Sequence, residues 1–395
     1  MAGKNGFDSI SLSPEELEAK IRAHRISYAK KMGIALGVII VIAIVIKIWL
    51  DNRIYTDYEV RNSIEQTDKS AARFAELDGN ILEYSNDGVV CKDSAGKLLW
   101  NCGFEMVTPQ IDVCKEYMIA YDKGGNKLYI ITNEGLEGEI ETPSIIRTAC
   151  VAKQGTVAVL LEKENNYNVK VYDKSGKELA AGAFYGAQGS VPVDIAFSYD
   201  GKKLAVDLIN FTGGKVDTLI SFYNFGDVGQ SEINNNVGSY TYEDTLIPQI
   251  EYVSENEMIA IGGDSLRIFT GAQKPELSEE VEFEKEIQSF FYNEKNAAII
   301  YANNDEKGTY HMEVYNLRGK KVMEQDFDLK YENAEFLSNG EVCISNKYEC
   351  ELYTMSGVKK FEYTFDKEVY KILHDEGVSN YIFITNGATE EVGLK

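Results

Sequence analysis

Apolar and polar positions alternate over short runs along most of this chain, the two-residue period of half-buried strands, but one segment breaks that rhythm. Met32 to Leu50 reads MGIALGVIIVIAIVIKIWL, nineteen residues with a single charge and no proline. At a helical rise of ~1.5 Å per residue the run is ~28 Å long, about the hydrocarbon thickness of a bilayer. It is predicted to span a membrane, with Lys47 stretching its stem toward the headgroups beside Trp49. Ser13-Pro14-Glu15-Glu16 forms a capping box with proline at the first helical position, and Leu12 and Leu17 supply a hydrophobic staple. A single helix from Pro14 to Leu50 is therefore expected, after a polar tail.

Beyond Asp51 the pattern is β throughout. Thr156 to Leu161, Met258 to Ile261 and Ala297 to Tyr301 are short, β-rich and bounded by Asn, Asp or Gly, and no amphipathic stretch of helix length follows the apolar run. These segments belong to a repeat. Pro109, Pro143, Pro192 and Pro248 each precede a similar apolar run, and proline at a strand entrance sacrifices no ladder donor. Later in each unit a strand runs into a glycine turn, at Gly96, Gly135, Gly176, Gly226, Gly271, Gly319 and Gly357, spaced 39, 41, 50, 45, 48 and 38 residues apart. Four strands in about 44 residues is the period of a β-propeller blade. Glycines 96, 176, 319 and 357 are expected to supply positive φ in the turn between third and fourth strands.

Seven full units start near Ala71, Pro109, Pro143, Pro192, Pro248, Glu286 and Glu332, and three strands remain at the C-terminus, in Val369–Asp375, Tyr381–Thr385 and Glu390–Lys395. The alternating segment from Ile54 to Ile64 is otherwise unused. It is predicted to supply the missing outer strand, closing the ring with strands from both chain ends and removing an exposed edge. The fold class is thus all-β, an eight-bladed propeller with seven blades as the alternative, preceded by one transmembrane helix. The predicted divisions are 1–31, 32–50 and 51–395.

Charge sets orientation and excludes a class of partner. Lys20, Arg22, Arg25, Lys30 and Lys31 crowd the N-terminal flank of the apolar run, which predicts a cytoplasmic N-terminus and an extracytoplasmic ring. A cleaved secretory leader is the competing reading, but the apolar run is long for one and no small-x-small site follows it. Residues before Asp51 carry a net +3, so of −23 overall the remainder holds −26. That balance argues against nucleic acid, which needs clustered Lys and Arg.

Candidate chemistry is sparse. The three histidines, His24, His311 and His374, belong to no recognisable triad, and His374-Asp375 reads as a solvated turn. Asn303 to Gly308 lacks the terminal glutamate of a calcium loop, so no metal ligand and no cofactor is predicted. Six cysteines show no C-x-x-C. If Asn346-Lys347 is a two-residue turn, Cys343 faces Cys350 with Cα atoms ~5.5 Å apart, so a disulfide is within reach. The only glycosylation sequon after the apolar run, Asn210-Phe211-Thr212, fits a bacterial surface. The longest connections between blades are read as Phe184 to Ser190 and Asn234 to Asp244. Both are tyrosine-containing, so Phe184, Tyr185, Tyr240 and Tyr242 are candidate partner contacts.

Tyr84-Ser85-Asn86-Asp87-Gly88-Val89-Val90 through Gly96-Lys97-Leu98-Leu99-Trp100 resembles a repeat of quinoprotein-type propellers, which are relatives in shape of WD-repeat rings. Ile195 to Val206 resembles the FSPDGKKLA repeat of TolB-like propellers, with Tyr199 where proline is usual. With its N-terminal helix, the whole chain resembles an uncharacterised family of Gram-positive bacterial membrane proteins with propeller ectodomains. The resemblance implies the fold and carries over no site. The expected role is a scaffold or sensor that binds another envelope component. The alternative is an enzyme or a small-ligand or carbohydrate binder using the central channel. An enzyme predicts perturbed titratable residues converging in that channel; a scaffold predicts an exposed aromatic patch.

Overall fold

The computed structural model describes residues 14–66, 72–164, 166–185, 190–212, 214–303 and 308–395. The chain divides into two compact units, Met1–Arg53 and Ile54–Lys395. The first contains one helix, Pro14–Asp51, as the capping pattern and the uninterrupted apolar run predict. Within it His24–Ile46, with a mean hydropathy of 2.3 and no part buried, is long and apolar enough to cross a membrane. The cap residue Ser13 lies outside the described residues, as do the side chains of Leu17 and Lys47.

The second unit is a ring of eight four-stranded antiparallel sheets among the described residues. Inner strands start at Arg73, Pro109, Ile145, Ser190, Gln249, Ile287, Asn333 and Val369, within a few residues of the positions the repeat predicts. Blade 8 takes its outer strand from the other end of the sequence: Tyr58–Glu65 pairs antiparallel with Ala388–Leu394, Tyr58 opposite Leu394 and Glu65 opposite Ala388. The closure predicted from the unused segment is therefore present, and eight blades is the number. Tyr58 packs its ring on Tyr363 and Phe383, at 5.0 and 5.2 Å between centroids, and so ties blade 8 to blade 7.

Inner and second strands alternate apolar side chains that face the neighbouring blade on either side, because no sheet in a ring is left with a wet face. Each of the eight seams holds its own buried cluster. The seams between blades 7 and 8 and between blades 2 and 3 are equally the most populous, whereas that between blades 8 and 1 has only Ile81, Leu373, Ile382 and Ile384 buried. Every outer strand carries a register shift near its start, such as those opposite Cys91/Lys92 and Val171/Tyr172, which adds the twist needed to splay the blade outward. Gly96, Gly176, Gly319 and Gly357 have φ between 65° and 89°, the left-handed conformation their turns require.

Antiparallel order gives the ring two faces. The lower bears the turns joining first to second and third to outer strands. The upper bears the second-to-third turns and the connections to the next blade.

Candidate functional site: the acidic channel

Three of the proline-marked inner strands bring a carboxylate to the axis. Asp112 on Pro109–Cys114, Asp194 on Ser190–Phe197 and Glu251 on Gln249–Tyr252 come from blades 2, 4 and 5. Each is tied to a neighbouring blade. Asp112 accepts the Val151 N–H at 2.7 Å, Asp194 accepts the Ile250 N–H at 3.0 Å, and Glu251 accepts the Tyr292 hydroxyl at 2.8 Å. Further round the ring Ser289 and Tyr331 share a hydrogen bond of 2.6 Å, and Lys371 of blade 8 binds Glu335 of blade 7. The polar lining thus joins blade to blade.

The carboxyls also sense one another. Enclosure by the ring pushes Asp112 up to about 6 against the pull of two backbone N–H groups, and Asp194 up to about 7 with added repulsion from Asp112. Burial and then the Asp112 charge raise Glu251 well above the ordinary glutamate range, the Tyr292 hydroxyl opposing them. Behind Asp194, Asp207 pairs with it across the sheet, has no accessible surface and has neither oxygen hydrogen-bonded. Its burial pushes it up to about 8. This group holds exchangeable protons near neutrality. Burial also holds the nearby thiols protonated, raising Cys114 to about 12 and Cys150 well above its usual range.

At the lower end, Lys115 of blade 2 binds Glu294 of blade 6, and Lys153 of blade 3 binds Glu255 of blade 5. Blades 2 and 6 stand opposite in a ring of eight, so the first pair is made across the axis. Tyr199 lies between these bridges. Its ring centroid is 5.6 Å from the Lys115 ammonium, and its backbone carbonyl accepts the Lys153 N–H at 2.9 Å. The departure from the TolB-like pattern is thereby explained: proline there would leave no aromatic ring over Lys115. The rest of that turn is conventional, Asp200 accepting from the Ser198 hydroxyl at 2.7 Å.

The tyrosine segments lie differently from the sequence expectation. Asn236–Tyr242 is the outer strand of blade 4, not a connection, and the insertion precedes it as two short helical turns, Asp227–Gln230 and Ile233–Asn235. Tyr240 and Tyr242, two residues apart, point together into the blade 4–5 seam. Tyr240 donates to the Pro275 carbonyl at 3.1 Å and meets Phe269 edge-on, and the Arg267 guanidinium stacks 4.5 Å above Tyr242. Phe184 and Tyr185 end the outer strand Glu178–Tyr185 of blade 3; their side chains and the connection 186–189 lie outside the described residues.

The cysteine register is corrected too. The turn is centred on Lys347-Tyr348, because the Asn346 carboxamide accepts the N–H groups of Tyr348 and Glu349 at 2.9 and 2.8 Å. Ser345 therefore faces Cys350, Cys343 faces Leu352, and both thiols are free and buried.

Besides the channel carboxyls, a second cluster has no counterpart among the residues singled out in the sequence. His311, Glu313 and Glu324 offer ligand atoms within 4.8 Å of one another, on paired strands of blade 6 with Glu313 opposite Glu324. The signal was the His-x-Glu alternation, which puts both side chains on one face. Lys321 already sits there, 2.7 Å from Glu313 and 2.8 Å from Glu324, and supplies the positive charge a cation would bring. His374 hydrogen-bonds the Gly377 carbonyl at 2.7 Å within its own turn, and residues 304–307 of the acidic loop lie outside the described residues.

The family model settles membership. The chain belongs to DUF5711, a family of unknown function. The match runs over residues 51–394, which is the whole ring. No curated protein matches the chain. Among solved structures it is similar to BamB from Moraxella catarrhalis, at 13% identity and a TM-score of 0.50, over 86% of this chain and 100% of that one. It is similar also to the computationally designed Ika8 protein, at 11% identity and a TM-score of 0.52, over 87% and 100%. Both likenesses are of fold alone.

Proposed function

We propose that this DUF5711 chain is a single-pass membrane protein with a cytoplasmic N-terminus, whose ring works outside the cell membrane as a non-catalytic interaction scaffold or sensor of the bacterial cell envelope. The exposed apolar helix supports anchoring, and its basic N-terminal flank supports the orientation. One observation carries binding over catalysis. The three channel carboxylates are each committed to a neighbouring blade as structural ties, and the nearby thiols are kept protonated. Protease added to intact cells tests the topology: degradation of the ring is expected, and protection until lysis overturns it. Crosslinking in intact cells tests the binding role, which fails if no specific partner is recovered.

A second reading, the enzyme or small-ligand binder using the channel, has one observation in its favour: Asp112, Asp194 and Glu251 converge on the axis with their carboxyls held above the ordinary range, as that reading predicts, and the cluster suits a small cationic ligand. Spermidine and calcium are the probes. A rise in melting temperature lost in Asp112→Asn would support this reading, and no rise with either removes it.

A further inference from the structure

Blade 4 departs from its seven neighbours at the upper face. Its second and third strands, Lys203–Thr212 and Lys215–Asn224, have ten residues each, whereas the corresponding strands elsewhere have four to seven. The extra length carries Phe211, paired only with Val216, out to the tip, where the residue is 62% exposed. A lone exposed aromatic is ordinary, but this one has company. Val107 (82% exposed), Ile145 and Leu246 lie on the same face, at the entrances to blades 2, 3 and 5. The connection 243–248, which leaves blade 4 for blade 5, emerges there too.

The surroundings of Phe211 are acidic. Asp217 on its own hairpin accepts the Asp244 N–H at 2.8 Å, Glu243 precedes Asp244, and Lys215 is 3.8 Å from Asp244. That charge selects the occupant. Anionic headgroups would be repelled, and a second copy would bring the same acidic border from a ring of net −26. A protein surface with Lys and Arg around an apolar pocket would not.

We propose that the upper face of blades 2 to 5 is a docking surface for a protein partner that receives Phe211 in an apolar pocket and meets Asp217, Glu243 and Asp244 with basic residues. This rests on the reading of the ring as a binding module. Phe211 is the anchor, because a protruding aromatic that becomes fully buried contributes far more than the flat contacts around it. The acidic border steers approach and sets register.

The test places a photocrosslinking phenylalanine in the full-length protein, in cells that make it, at Val107, Phe211 and Leu246. Leu136 and Leu277, exposed aliphatics near the lower face, are the matched controls. One crosslinked protein common to the three upper positions and absent from the controls is expected. Its yield at Leu246 should fall about tenfold or more when Phe211→Ser is added, with the ring's melting temperature unchanged; Asp217→Lys is the second variant if the first misfolds. The crosslinked peptide should carry Lys or Arg, and complex formation should weaken as salt rises. Crosslinking through the controls alone overturns this proposal and leaves the scaffold reading standing. A lipid adduct, or a dimer of the chain itself, also overturns it. No crosslink at any position removes both.

Discussion

Replacing Asp207 by Asn should make the propeller less sensitive to alkali. Asp207 sits on the second strand of blade 4, opposite Asp194 on the inner strand and Ile220 on the third, with no accessible surface and no hydrogen bond to either oxygen. A carboxylate so placed has no protein cation or N–H to hold its charge, so the folded ring keeps it protonated up to about pH 8, against 3.8 for an unhindered aspartate. Between those values the unfolded chain has released this proton and the folded one has not. Unfolding therefore sheds a proton, and rising pH favours it. The contribution of this one group to stability is fullest below about pH 4, falls by about 1.4 kcal/mol per unit above it, and levels off beyond about pH 8.

The accumulated loss is ~5 kcal/mol, an upper figure because the seam relaxes when the charge forms. For a ring of some 340 residues that corresponds to ~7 °C in melting temperature. Asp194 and Asp112, pushed up to about 7 and 6, add losses of the same sign, reduced by channel water. Melting of the full-length protein in mild detergent, followed by intrinsic fluorescence from pH 4.5 to 9, measures the effect. The wild type should lose melting temperature across that range; Asp207→Asn should lose less, crossing above the wild type near neutrality. Parallel curves would refute the reasoning, since they would mean Asp207 ionises alike in both states.

Deleting Tyr58–Glu65 should leave Ala388–Leu394 as a bare edge and produce self-association by size-exclusion chromatography, while Tyr58→Ala alone should cost ~2 kcal/mol through lost contact with Tyr363 and Phe383. Lys321→Gln should turn the His311, Glu313 and Glu324 cluster into a zinc site, because Asp326 already holds His311 Nδ1 at 2.6 Å and so turns Nε2 toward Glu313, 3.5 Å away. Calorimetry should then show zinc binding in the variant and not in the wild type. All six cysteines should resist alkylation in the native protein and all six react after denaturation without reductant, measured by mass; a pair that stays unreactive would mean a disulfide.

The blades were legible because propeller geometry writes itself locally: Gly96, Gly135, Gly176, Gly319 and Gly357 each supply the positive φ of a turn and each inner strand has its own entrance, so the period survives in one sequence. The closing strand was legible by subtraction, Ile54 to Ile64 being the one alternating segment without a blade. The channel was harder to see. Asp112 and Glu251 stand three residues after their prolines and Asp194 two after its own, so the blade markers contained the acids. Only the ring's closure shows that these three positions, far apart in sequence, face one axis. The two local errors had local causes. Asn346 takes the turn one residue later than assumed by binding two backbone N–H groups, and the polar run Asn234 to Ser239 hid an outer strand whose alternation lay in Tyr240 and Tyr242.

These details give the ring a direction. The lower end of the axis is crossed by Lys115–Glu294 and guarded by Tyr199, with Lys153–Glu255 beside them, whereas the long hairpin of blade 4 carries Phe211 to the other face. Exposed ion pairs contribute at most about 1 kcal/mol each, so the lower bridges are poor stabilisers. Their use is to occupy space and close that end of the axis, each ammonium being neutralised by its own glutamate. Anything drawn to Asp112, Asp194 or Glu251 then meets less opposition from the upper face, where the acidic border around Phe211 attracts the same charge. Charge-reversing Lys115 to Glu would separate these roles. Stability should change by less than about 1 kcal/mol and the channel carboxyls should titrate where they did, because Lys115 is not among the charges that shift them; a rise in their titration would mean the bridge acts on them along the axis.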